Sequence, residues 1–140
     1  MKILVSACLL GENCKYNGGN NLSPAVERFV AGHEVIPVCP EMEAGMGCPR
    51  TTIEIVDGVL TDRNGKNVDA QMRDAMAKIL KRLENQEIFC AVLKSRSPTC
   101  GVKQVYDGTF SGTLVDGSGL FTQALQAAGY RVIDSEELPE

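Results

Sequence analysis

A single histidine, His33, is all the imidazole this 140-residue chain offers, and it follows a helix-stopping glycine, Gly32. A histidine-based catalytic triad therefore has no support, because that chemistry needs an imidazole held between a nucleophile and a carboxylate. Among the six cysteines there is no CxxC pair and no zinc-ribbon spacing, which removes the local knuckle of a zinc finger. Long apolar runs are missing as well, since none approaches the roughly 18 residues of a membrane span. Positive charge is in short supply: 14 Lys and Arg face 18 Asp and Glu, for a net charge of −4. General electrostatic attraction to nucleic acid, which rests on many phosphate contacts, is thereby excluded. Neither an internal repeat nor a linker interrupts the chain.

What remains is an ordinary globular composition, 44% hydrophobic and 23% charged, in a chain long enough to bury a core without disulfides. One domain spanning residues 1–140 is expected. The opening MKILVSACLLG is strand-like and runs into a glycine-rich loop, which argues against a cleaved signal peptide and for a cytoplasmic location. In that reducing compartment the six cysteines read as free thiols or metal ligands rather than a disulfide framework.

Periodicity divides the chain into strands and helices. Lys2 to Cys8, Glu34 to Cys39, Ile88 to Leu93 and Arg131 to Ile133 read as parallel strands. Ser23-Pro24 opens a short helix that Gly32 stops. Asn67 caps a long helix with Met72, Met76, Ile79, Leu80 and Leu83 at helical spacing, and a third helix runs from Ser118 or Gly119 through Ala128, with Phe121, Leu125 and Ala128 on one face. Asp57-Gly58 and Asp107-Gly108 mark short hairpins, the second joining Gln104–Tyr106 to Thr109–Phe110. Pro40 to Thr52 reads as a loop, and the acidic tail DSEELPE as frayed. The whole predicts an α/β protein: a Rossmann-like three-layer sandwich, mostly parallel, with hairpin excursions.

In such sheets the ligand crevice lies beyond the carboxyl ends of the strands. Cys8, Cys39 and Cys100 all fall at those ends, in or beside turn-forming loops, and are expected to share one site. Cys90 lies inside a strand and reads as a small buried hydrophobe. Cys14 and Cys48 are loop residues within reach of the same place. Lys15, Arg50, Lys94, Arg96 and Lys103 fall in or beside the crevice loops, where a phosphate could be met. Three thiolates without histidine favour a soft site, an iron-sulfur cluster before zinc.

Four motifs in order, SACLLG with YNGG, CPE followed by a glycine-containing loop ending in PR, SPTCG, and YDGTFSG, resemble the bacterial thiouracil desulfurase family. The resemblance covers nearly the whole chain. It implies an oxygen-sensitive [4Fe-4S] cluster held by Cys8, Cys39 and Cys100, with a fourth iron left open to take the sulfur of a thiolated uracil. Cys14 and Cys48 stand where the family commonly has other residues, and Asn17 replaces the Asp of its usual YDGG. On that reading Glu41 serves as general base or proton shuttle, and Ser97 with neighbouring N–H groups hydrogen-bonds the base or the cluster. The expected reaction is non-redox desulfuration of 4-thiouracil, 4-thiouridine or its nucleotide, or 4-thiouridine within tRNA, releasing sulfide. A zinc hydrolase built on the same thiols, or a non-enzymatic binding module with redox-sensing cysteines, are the alternatives.

Overall fold

The computed structural model describes residues 1–138. Its centre is a parallel sheet of β1 (Lys2–Ser6), β2 (Glu34–Val38), β5 (Ile88–Leu93) and β8 (Val132–Asp134), in the order β2-β1-β5-β8. Two antiparallel hairpins stand apart from it: β3 (Ile53–Val56) with β4 (Val59–Asp62), and β6 (Gln104–Tyr106) with β7 (Leu114–Asp116). The helices are α1 (Pro24–Val30), α2 (Pro40–Glu43), α3 (Asp69–Leu83) and α4 (Leu120–Ala127).

Alternation along the strands makes the layers, because successive side chains leave a strand on opposite faces. Ile3, Val5, Cys90 and Val92 pack with Val26 and Val30 of α1 on one face. Leu4, Ala91 and Leu93 face the other way, against Met72, Met76 and Ile79 of α3 and Phe121 and Leu125 of α4. The α1 connection runs from β1 outward to β2, and the α3 connection returns past β1 to β5. Reversing direction while keeping one crossover hand requires the helix to change face, and it does. The predicted three-layer α/β sandwich is the observed one.

Local signals held where a side chain could act on its own neighbourhood. Ser23 accepts from the Val26 N–H at 3.3 Å and Pro24 takes the first helical position. Asn67, by contrast, is not the expected cap: the N-cap of α3 is Val68, and Asn67 stands one residue earlier, accepting from the Asp69 N–H at 2.9 Å in an Asx turn. Asp57 and Gly58 both have positive φ, 51° and 78°, as a tight hairpin with right-handed twist requires.

Several boundaries differ from expectation. β1 ends at Ser6, and Cys8 sits in a 3-10 turn over Ala7–Leu10. Pro40 opens a one-turn helix, α2, inside what reads as loop. Residues 107–113 form the connection of the second hairpin, and Leu114–Asp116 supplies its other strand. Ala128 caps α4 and is exposed rather than facing the core. The acidic tail is tied down as far as it is described: the Ser135 N–H donates to Leu93 O at 3.0 Å, and Glu136 pairs with Arg96. Pro139 and Glu140 lie outside the described residues.

Candidate active site

The strand order reverses between β1 and β5, and a cleft opens above their carboxyl ends. Its volume is about 480 Å³, in the range of small-molecule sites. Cys8, Cys14, Cys39 and Cys100 all line it, together with Glu41 and Ser97. The three strand-end thiols thus come together as the strand pattern implied, and Cys14 joins them. Cys90 is fully buried in the core instead, and Cys48 turns away from the cleft to donate to the Asn13 carbonyl at 3.1 Å. His33 is exposed on the surface.

Each thiol is delivered by a different local device. Cys8 rides the 3-10 turn that ends at Gly11, and its carbonyl accepts from the Asn21 N–H at 2.9 Å. Cys39 is the residue before α2, where Pro40 suits the first helical position and fixes the turn. Cys100 hangs from the SPTCG loop, which α4 clamps from above: Leu120 and Phe121 N–H groups donate to the carbonyls of Pro98 and Thr99, at 3.1 and 2.9 Å. Those carbonyls satisfy donors that a helix start otherwise leaves open. Gly119 makes the clamp possible, since a Cβ there would stand 2.3 Å from Thr99 O.

The thiols share one electrostatic environment. Burial pushes the Cys100 thiol well up, and the charges of Glu41, Cys39 and Cys8 add to the rise, while the Ser6 hydroxyl opposes it. Cys39 is raised by burial, then by Glu41 and Cys14. Cys8 is raised by burial and partly relieved by Asn21 and Lys94. Cys14 rises for the same first reason, with Cys8 adding to it. Each sulfur therefore holds its proton at neutral pH, and Cys14, Cys39 and Cys100 each feel at least one other cysteine.

Glu41 occupies the first turn of α2 and has both oxygens engaged. Oε1 accepts from the Thr99 hydroxyl at 2.7 Å, and Oε2 lies 3.6 Å from the Cys39 sulfur. Thr99, fully buried, is a positioning residue that sequence reading overlooked, although SPTCG places it beside Cys100. The Ser97 hydroxyl oxygen accepts from the N–H groups of Thr99 and Cys100, both at 3.1 Å, which leaves its own proton to donate into the cleft. Arg50 bridges the first two loops, donating to Gly47 O and Cys14 O at 2.8 and 2.9 Å. Lys15, Lys94 and Arg96 also line the cleft, whereas Lys103 lies outside it and pairs with Glu137.

The donor set can be tested against the groups it could hold. Among the described residues no three His, Cys, Asp or Glu side chains stand close enough to grip one ion. A tetrahedral zinc site would draw its sulfurs to about 2.3 Å from a common centre. Thiols spread around a cleft suit a larger, sulfur-loving polynuclear group.

Fold and cleft together define an α/β protein whose reactive groups are thiols converging on the carboxyl edge of a parallel sheet. The family model of 2-thiouracil desulfurase matches residues 3–137. The chain belongs to that family. It is 36% identical to "Uncharacterized protein YbbK" of Bacillus subtilis (strain 168), covering 97% of each chain. A solved structure titled [4Fe-4S]-dependent thiouracil desulfidase TudS superposes with a TM-score of 0.90 at 32% identity, covering 99% of this chain and 93% of that one.

Proposed function

We propose that this protein removes the sulfur of a thiolated uracil with a [4Fe-4S] cluster held by Cys8, Cys39 and Cys100. The observation that carries the reading is the convergence of these thiols, from three strand ends, on one cleft that also holds Glu41. When bound, the cluster supplies an iron without a protein ligand, a Lewis acid with affinity for sulfur. The rest is done by the chain.

Glu41 is held for proton transfer by the Thr99 hydroxyl, which fixes one carboxylate oxygen. Its other oxygen faces the Cys39 S–H. With Cys39 deprotonated to hold the cluster, its sulfur would no longer donate to Oε2, and that oxygen would be free to accept a proton from water. Water attacks the thiocarbonyl carbon, a carbon–oxygen bond replaces carbon–sulfur, and sulfur leaves as sulfide with the protons of that water. No electrons change hands. Ser97, its oxygen committed to two backbone donors, turns its hydroxyl hydrogen toward the cleft and orients the base.

The substrates of this reading are 4-thiouracil and its nucleoside or nucleotide, all small against a cleft of about 480 Å³. Lys15, Lys94 and Arg96 at the cleft suit a nucleotide phosphate, and the same side chains would meet the backbone of a tRNA carrying 4-thiouridine. We place the protein in the cytoplasm, where reducing conditions keep its six free thiols available. The test is anaerobic reconstitution followed by iron and sulfide analysis and then turnover. About four irons per chain, with uracil and sulfide released from 4-thiouracil in equal amounts, is the expected result. Stoichiometric zinc, or a colourless protein that turns nothing over, would replace this reading by the hydrolase or the binding module.

A further inference from the structure

The aromatic side chains of this molecule are few, three tyrosines and four phenylalanines, and four of them, Tyr16, Phe89, Tyr106 and Phe110, have no part in either core cluster. Tyr16, Tyr106 and Phe110 line the cleft instead, the last two on β6 and the connection that follows it. Phe110 is held in a conformation that bulky residues avoid, with φ of 58°. Such a residue persists only where its surroundings over-determine it, and here they do.

Glu54 is the device. Its carboxylate, 6% exposed, is another group that line the cleft, and Oε1 accepts from the Gly108 N–H at 2.9 Å and the Phe110 N–H at 3.2 Å. Gly108 is pressed so close to β3 that a Cβ would stand 2.5 Å from Ile55 O. Beyond it, Asp107, Thr109, Ser111 and Thr113 are joined by hydroxyl and carboxylate hydrogen bonds of 2.6 to 2.9 Å. A buried carboxyl group, a strained aromatic and a chain of hydroxyls are assembled to fix this loop tip. Thr52, in the wall of the same cleft, keeps a buried hydroxyl without a hydrogen-bond partner among the described residues. The cleft thus offers a rigid π-face and an unspent hydrogen bond, the pair that a flat polar ring requires.

We propose that Phe110, positioned by Glu54, is the face on which the planar pyrimidine ring of the substrate stacks, and so is a specificity-determining residue. This rests on the desulfurase reading for its substrate class. Pre-fixing the ring removes the ordering cost that a mobile aromatic would incur on binding, and a stack sets the plane in which the thiocarbonyl sulfur lies.

The experiment uses the absence of tryptophan from the chain. Phe110→Trp places a sole indole at the stacking position, and titration with uracil is expected to quench its emission. Dihydrouracil, which keeps the hydrogen-bonding edge but loses the aromatic ring, should not quench it, nor should uracil quench Val115→Trp, which lies on β7 outside the cleft lining. In the cluster-loaded enzyme Phe110→Leu should raise KM for 4-thiouracil about 10- to 100-fold, the range of one lost base stack. Its kcat should fall by less, its iron content should not change, and Phe110→Tyr should restore KM. Glu54→Gln, which keeps one acceptor oxygen, should fall between wild type and Phe110→Leu. Equal quenching by uracil and dihydrouracil, or an unchanged KM in Phe110→Leu, overturns the stack. Loss of iron in Phe110→Leu overturns it too, by making the residue structural. Quenching by uracil in a protein that releases no sulfide would uphold the stack and bring down the desulfurase reading instead.

Discussion

Cys90 and Cys100 lie ten positions apart on one segment of chain, both buried, both with thiols pushed up by that burial. One belongs to the sheet and the other to the rim above it. Around Cys90 are the apolar Ile3, Val5 and Val92, and the one charge it feels, that of Arg131, works against the rise. Around Cys100 are Glu41, Cys39 and Cys8, whose charges push its thiol up, and the Ser6 hydroxyl, which opposes them. Burial alone therefore does not distinguish a packing thiol from a ligand thiol. On the proposed ligation, the company of a carboxylate and other thiols does, because it would give the proton somewhere to go when a metal takes its place.

The strongest way to break this comparison is to exchange the two roles. Cys8→Ser, Cys39→Ser and Cys100→Ser should each abolish stable iron binding after anaerobic reconstitution, since a site with three protein ligands has none to spare. Cys90→Ser and Cys48→Ser should keep full iron. If Cys14→Ser loses the cluster while Cys39→Ser keeps it, the rim has been assigned the wrong third ligand.

Acid should do by degrees what serine does outright. The rim thiols have raised values, so ligation must remove a proton from each, and binding strengthens as pH rises and weakens as it falls. Across the neutral range each thiol contributes up to about tenfold in apparent affinity per pH unit. Iron retained against a chelator, followed between about pH 6 and pH 8.5, should fall toward the acid side. Retention independent of pH would mean that the thiols are already ionised.

Glu41→Gln leaves the thiols alone and should spare the cluster while slowing single-turnover uracil release by about 10²- to 10⁴-fold. Near-normal release with an intact visible spectrum would remove Glu41 from the chemistry, and loss of iron would make it structural. Thr99→Val, which deletes only the hydroxyl that holds Glu41, should cost less, about 10- to 100-fold, as a misplaced catalytic group does. Restoration by Thr99→Ser would show that the hydroxyl, not the methyl, matters.

The smallest effect belongs to the sheet. Cys90→Ser puts a hydroxyl among apolar neighbours and should lower unfolding free energy by about 1–3 kcal/mol, without changing iron per chain. Denaturant titration of the metal-free protein checks it. A larger loss of iron than of stability would erase the distinction between the two cysteines.

How much of this could be read in advance follows the same division. Sheet elements announce themselves through repetition: Ile3, Val5, Val92 and the α3 methionines are each one instance of a period. The strand-end cysteines inherit that legibility because a strand's end is as visible as its run. The rim has no period. α2 is four residues long, too short to repeat anything, and β7 hides because Val115 is exposed on a three-residue strand. Thr99, Cys14 and Phe110 act through partners far away in sequence, and nothing local betrays a hydrogen bond from residue 99 to residue 41. The motif resemblance supplied part of what periodicity could not, and the remaining rim contacts required coordinates.

The reversal of strand order between β1 and β5 also governs time. Cys8 and Cys39 come from the first crossover, but Cys100 reaches them only after β5 has docked beside β1, with all of α3 in between. Closing so long a stretch of chain carries an entropy cost that must be met before any metal can offset it. On the proposed ligation, the sheet would have to be assembled before the three thiols could share one cluster. A group bonded to all three would then tie distant parts of the chain together, so that unfolding would have to break metal–sulfur bonds as well as a core.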